Sequence, residues 1–308
     1  MRPKAAAVAG SQRGLALVLT LMALVIITAL VVEFAYGVYV NTSFLRNWQT
    51  SERLSLTARS GVRLASELLH YAATQYSYTY PGAVDIPPSD PFAGTIGNAT
   101  SDEVALRMED ETSKFNLNAL VYSNDELHEE AYNILKRLLE NLSIDDEIAD
   151  GIVDWIDRNK VPMGSGSEAG AANRPLASVD ELLLVPGMDK AVYDKLLPYI
   201  TIYGVRNNIK ININGAGLPL LMAMHEEMTE ELAQRVVSRR ELKPFGKIED
   251  LQSVVGFEKG LGTTLIGRIA VRGEYFRIIS TASSEDGIKS SIECVIDSKD
   301  RILYWKEI

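Results

Sequence analysis

The chain has 308 residues, 46% of them apolar and 23% charged, a composition that supports a real hydrophobic core in one large domain or two ordinary ones. Its net charge of −10 is unevenly spread: Arg2, Lys4 and Arg13 lie in the first fourteen residues, and the remainder holds 28 Lys and Arg (31 less these three) against 41 Asp and Glu. So acidic a body is repelled by nucleic-acid phosphate, and a single cysteine, Cys294, excludes an intrachain disulfide.

The first element is the unbroken apolar run Leu15–Val32, whose only polar side chains are two threonines. Its 18 residues would reach roughly 27 Å as a helix, about the hydrocarbon thickness of a bilayer. Basic residues precede it and acidic residues follow from Glu33, so the amino terminus is expected in the cytoplasm and the body outside. A cleaved signal peptide is the alternative. The run is longer than the usual signal core, however, and no Ala-x-Ala-like site follows it. Leu45, Trp48, Leu54, Ala58, Val62, Ala65, Leu68 and Leu69 continue at helical spacing. Together these predict one helix over about 15–73, half in lipid and half packed on a domain.

Tyr80 to Pro91 reads as a turn-rich loop, followed by a strand from Val104 and an extended Phe115-Asn-Leu-Asn. From about Asp125 helical patterns dominate: 126–142, 144–159, 179–184, 191–197, 229–239 and 248–254, with a short β-type run at 209–214. The tail is strand-like again at 275–280, 289–297 and 302–305, with a tight turn at Gly287. The predicted order is a leader (1–14), a long helix (15–73), a first α/β part (74–124), an inserted helical domain (125–268) and closing strands (269–308). The fold class is α+β.

Inside the insertion, Leu182-Leu-Leu-Val-Pro-Gly-Met with Tyr193 and Leu196 has a helix-hairpin-helix pattern, and 245–257 is a weaker second copy. Such hairpins can offer amides to DNA phosphates, which keeps a DNA-uptake subunit or membrane-anchored DNA receptor as the alternative function. Asp180, Glu181, Asp189 and Asp194 oppose that reading and favour packing or protein contact. In the acidic segment 143–157, Ser143 is the expected N-cap, and Asp150, Asp154 and Asp157 share one face. That face is either solvated or bridged by a hard cation such as calcium. His70, His128 and His225 are scattered, with no nucleophile or metal-ligand spacing, so no enzyme activity is expected.

These residues resemble the minor pseudopilin K family of type II secretion systems. The resemblance is carried by Arg13-Gly14-Leu15, Asp110-Glu-Thr-Ser-Lys-Phe-Asn-Leu-Asn118, Asp154-Trp-Ile-Asp157, Ala172-Asn-Arg-Pro-Leu-Ala-Ser-Val-Asp-Glu-Leu-Leu-Leu-Val-Pro-Gly-Met188, Pro198-Tyr-Ile-Thr and Ile211-Asn-Ile-Asn-Gly-Ala, in the family's order. It implies a pilin-like fold, a long transmembrane helix on a small antiparallel sheet, with a large helical insertion. It further implies single-pass anchorage in the bacterial inner membrane and a non-enzymatic place at the pseudopilus tip. The implied partners are pseudopilins I and J, other pseudopilins, the inner-membrane assembly platform and prepilin peptidase. That peptidase would cut between Gly14 and Leu15, leaving Leu15 N-methylated. Pilins generally carry a glutamate at the fifth residue after the cut, where this chain has Leu19. The resemblance also implies calcium held by Asp154, Asp157 and Glu168. Asn159 stands where many relatives have another aspartate.

Overall fold

The computed structural model describes residues 9–79, 83–86, 102–159, 161–164, 170–258 and 260–308. The chain forms two compact units, Met1–Leu54 and Ser55–Ile308, and helix α1 (Ala9–Gln75) contributes to both. Leu45 and Trp48 are 54% and 55% exposed, so the apolar periodicity of the first unit does not mark a packed stripe there.

The second unit holds a five-stranded antiparallel sheet in the order β1-β2-β7-β8-β9, made of β1 (Ala83–Ile86), β2 (Glu103–Asp110), β7 (Tyr275–Ser283), β8 (Lys289–Asp297) and β9 (Ile302–Glu307). Strand alternation sends Val104, Leu106, Phe276, Ile278, Ile292 and Cys294 inward. Ala58, Val62 and Ala65 of α1 are buried as well, and small residues let the helix lie close to the strands. A Cβ on Gly61 would run into the Ser280 hydroxyl and Leu106, so glycine is what permits that approach. The segment expected to be loop, 80–91, contains β1, which pairs with β2 (Ala83 opposite Glu109) and ends before Pro87 and Pro88. Proline cannot donate to a ladder, so a strand stopped by two prolines suits a sheet edge. The turn between β7 and β8 has Gly287 at φ +80°, and Ser284 and Ile288 are bonded across it.

The residues between β2 and β7 fold as two copies of one unit. The first runs β3 (Phe115–Asn116), α2 (Glu129–Asn141), α3 (Ile148–Ile156), a 3-10 helix Val179–Leu184, α4 (Lys190–Leu196) and β4 (Ile200–Thr201). The second runs β5 (Ile211–Asn212), α5 (Leu218–Ala223), α6 (Glu230–Leu242), a 3-10 helix Ile248–Ser253, α7 (Leu261–Leu265) and β6 (Ile269–Ala270). Each copy closes by pairing its first and last strands in parallel.

A buried asparagine braces each closure. The Asn118 amide donates to the carbonyls of Leu176 (3.0 Å) and Ile202 (3.2 Å), and its Oδ1 accepts from Leu176 N–H at 2.8 Å. Asn214 donates to Phe245 (3.0 Å) and Val271 (3.1 Å) and accepts from Phe245 N–H at 2.8 Å. Glu181 caps the amides of Ala177 and Ser178, as Asp250 caps Gly246 and Lys247. Gly187 (φ +84°) and Gly256 (φ +100°) turn the two hairpins, against Ile148 and Leu232 respectively. Both copies feed one continuous core from Phe115 to Ile269.

Several local expectations change. The hairpins begin with 3-10 rather than α-helices, and α5 and α7 lack a clear sequence period. Ser143 is no N-cap: it sits at φ +52°, and α3 starts only at Ile148, with Asp145 accepting from Glu147 N–H.

Two adjacent carboxylates at the end of β2 fasten the copies to the sheet. Asp110 accepts from Thr79, from Thr112 N–H and from Asn212 of the second copy. Burial pushes its pKa up, against those hydrogen bonds. Glu111, fully buried, accepts from Thr201 of the first copy at 2.5 Å and pairs with Lys114 and Arg277. Burial alone would raise Glu111, but the two cations hold it below the ordinary value.

Candidate functional site

In the first unit, Leu15, Leu17, Val18, Leu19 and the apolar residues through Val32 are all exposed, a helix surface that suits lipid rather than water. The hydroxyls of Thr20 and Thr28 donate to the carbonyls of Leu17 and Leu24, both at 2.8 Å, which satisfies them without solvent. Gly14 and Leu15 are consecutive residues of this helix, and an added Cβ on Gly14 would meet nothing within 4 Å. Aromatic residues Phe34, Tyr36, Tyr39 and Phe44 follow the span, all exposed, as expected where a helix leaves a bilayer.

The acidic segment departs from a solvated face. Asp154 is 1% exposed and Asp157 5%. Asp154 Oδ1 accepts from Met163 N–H at 2.8 Å, while its Oδ2 is buried without a hydrogen-bond partner. Burial raises the Asp154 pKa, and Asp150 on the preceding turn adds to the rise. Asp157 lies beyond the end of α3, so it does not share the helix face of Asp150 and Asp154. Its Oδ2 accepts from the Asn159 amide at 2.7 Å, and Asn159 Oδ1 accepts from Val161 N–H. Asp150 is turned to the Tyr132 hydroxyl.

An orphaned buried carboxylate oxygen suits a hard cation, and a loop held by carboxylates is a common way to bind one. Among the described residues no three acidic, His or Cys side chains converge, and Glu168 lies outside the described residues. Sequence reasoning missed Asn173, whose N–H donates to Trp155 O at the end of α3 and whose Oδ1 is buried without a partner. Its positive φ, +50°, was the only available signal, and that is a property of the fold.

The hairpin turns offer little to phosphate. The amides of Val185 and Met188 already donate within the first turn, as do those of Val254 and Phe257 in the second. Asp180 accepts from Tyr193 OH at 2.6 Å beside the first hairpin.

Comparisons with known proteins match this architecture. The family models described as type II secretion system (T2SS), protein K, match residues 113–205 and 211–272, one on each copy. Type II secretion system protein K of Pseudomonas aeruginosa is 28% identical over 237 residues, covering 70% of this chain and 67% of that protein. The protein of the same name from Pectobacterium carotovorum is 28% identical over 291 residues and 86% of both chains. A chain in the crystal structure of the GspK-GspI-GspJ complex of enterotoxigenic Escherichia coli is 20% identical, with a TM-score of 0.64 over 87% of this chain and 99% of its own. The fold is α+β and pilin-like.

Proposed function

Because the chain belongs to the type II secretion system protein K family and serves as a minor pseudopilin, we propose that it caps the pseudopilus tip as a non-enzymatic subunit. The observation that carries the placement is Leu19. It leaves no carboxylate in the apolar span for the terminal amine of a subunit above, and an unpaired carboxylate there would be costly. Pseudopilins I and J are the proposed lateral partners, because the similar Escherichia coli chain belongs to a GspK-GspI-GspJ complex. Other pseudopilins and the inner-membrane assembly platform complete the set. Prepilin peptidase cuts between Gly14 and Leu15 on the cytoplasmic side of the inner membrane, and the new terminus at Leu15 is methylated. The two hairpins act as protein-packing elements of helix-hairpin-helix type.

Calcium is the proposed ligand of the acidic loop. Asp154 and Asp157 would hold it, with Glu168 as a further carboxylate, and its charge would offset the cost of burying the Asp154 carboxylate. Imaging of labelled subunits on assembled pseudopili tests the placement. Label at one end is expected, and label along the shaft would contradict it.

A further inference from the structure

Asp154 Oδ2 and Asn173 Oδ1 are both buried without a hydrogen-bond donor. Native folds leave few such atoms, and each calls for a water or an ion. The two belong to one neighbourhood, because Asn173 N–H donates at 3.0 Å to the carbonyl of Trp155, the residue next to Asp154. Asn173 Nδ2 donates to the Ala171 carbonyl at 3.3 Å, so the amide is oriented and the atom left over is an acceptor. The other Asp154 oxygen already takes Met163 N–H at 2.8 Å. A water could donate to both remaining oxygens, but it would leave the charge of a carboxylate that is 1% exposed uncompensated. A divalent cation takes both oxygens as ligands and offsets that charge.

Among the described residues no three Asp, Glu, His or Cys side chains converge, so a neutral oxygen is what extends the set beyond carboxylates. Calcium takes about six to eight oxygens and accepts amide carbonyls alongside carboxylates. The Asn173 backbone suits the same role. Its φ of +50° is one that asparagine adopts more readily than most residues, and the bond to Trp155 O holds it at the end of α3. The second copy supplies an internal contrast. Ile148 meets Gly187 as Leu232 meets Gly256, and Ala149 and Ile152 are buried like Ala233 and Val236. Gln234 and Ser238 of α6 therefore stand where Asp150 and Asp154 stand on α3. The first copy reaches its 3-10 helix through 157–178, whereas the second uses Lys243-Pro-Phe-Gly-Lys247, which holds neither a carboxylate nor an asparagine.

We propose that the Asn173 side-chain oxygen is a ligand of the cation held by Asp154, the neutral member of the set. The proposal rests on the calcium reading of this loop and adds a residue which that reading does not contain. Asn173 then does two things that can be separated. Its backbone, at positive φ, closes the connection onto α3, and its side-chain oxygen meets the cation. Glycine at 173 keeps the first and removes the second, because glycine pays no steric penalty at positive φ. Aspartate keeps the shape of the side chain, tolerates the same φ and adds a charge.

The test is calorimetric titration of calcium chloride into the full chain, purified in detergent and stripped with chelator, alongside a thermal melt in chelator. Asn173→Gly should weaken the calcium Kd about tenfold, the scale on which a lost contact around a metal weakens its binding. Its melting temperature in chelator should be unchanged or higher. An Asn173→Gly protein that melts normally and binds calcium as tightly as the unaltered chain would overturn the proposal. If glycine lowers the melting temperature in chelator, Asn173→Asp decides instead. Another carboxylate beside Asp154 should then tighten the Kd about tenfold, and an unchanged or weaker Kd would overturn the proposal. Asp154→Asn separates this outcome from the reading beneath it, since on that reading alone it should abolish binding. Unaltered binding by Asp154→Asn, or none by the unaltered chain, would overturn both. Unaltered binding confined to Asn173→Gly would overturn only the role of Asn173.

Discussion

The two copies of the inserted unit share a frame and differ in one connection. Strand closure, the bracing asparagine, the carboxylate cap and the turn glycine recur residue for residue, because each satisfies backbone groups that a small helical unit must bury. Between α3 and its 3-10 helix, the first copy inserts a loop over two aspartates. The second bridges the same gap with 243–247 alone, and Leu242 and Val255 stand exposed beside α6. The frame is constrained by hydrogen bonding, and the connection is where the two copies differ.

The largest effects should come from the fastening of each copy to the sheet. Glu111→Ala removes the buried carboxylate and its bond to Thr201, leaving Lys114 to Glu109 and Arg277 to Glu293, and should cost about 3 kcal/mol in a urea melt. The faster hydrogen exchange should fall near Thr201, not Asn212, since Asp110 still holds the second copy. Acid separates the two in the same way. Glu111 is depressed by Lys114 and Arg277, so its stabilisation is fully present above the ordinary glutamate value of 4.5 and is lost as pH falls through the lower folded value. Asp110 is raised, so protons bind the folded state first and acidification does not loosen it in that range. Loss of protection at Asn212 before Thr201 would break this distinction.

Asn118→Leu strands two carbonyls and an N–H, and Asn214→Leu one carbonyl and an N–H, because Val271 O keeps the Thr79 N–H; each should cost about 2–3 kcal/mol. Unequal costs, differing by more than about 1 kcal/mol, would show that the copies are not energetically equivalent. A smaller effect of opposite sign is expected from Asp154→Asn, which removes an unpaired buried charge. In chelator it should stabilise the protein by about 1 kcal/mol, and in calcium the gain should vanish. A control outside both copies is the exposed pair of His70 with Asp300, which raises the His70 pKa through its hydrogen bond and charge. Its small contribution is full below the ordinary histidine value of 6.5 and fades as pH rises through the folded value. His70→Ala should therefore change stability by less than about 1 kcal/mol, and only in that lower range.

Much of this was legible in the residues. The apolar run, the three closing strands and the Gly187 hairpin follow from hydropathy, alternation and a positive-φ glycine. The second hairpin was visible as a weak copy, but the full duplication was not. Its markers, Asn118 and Asn214, look like ordinary polar residues until their partners at 176 and 245 are brought beside them. Of the three aspartates read onto one helix face, Asp157 falls off it because α3 ends at Ile156, and the burial of Asp154 beneath Met163 is a tertiary fact. β1 escaped notice because four residues before two prolines carry no period long enough to read.

If one unit, used twice, carries a cation loop in its first copy only, calcium should act on the two copies differently. Hydrogen exchange of the full chain in calcium and in chelator tests this most directly. Calcium should slow exchange across residues 150–164 and leave the equivalent face, 234–255, unchanged. Equal protection of both copies, or none in the first, would contradict it.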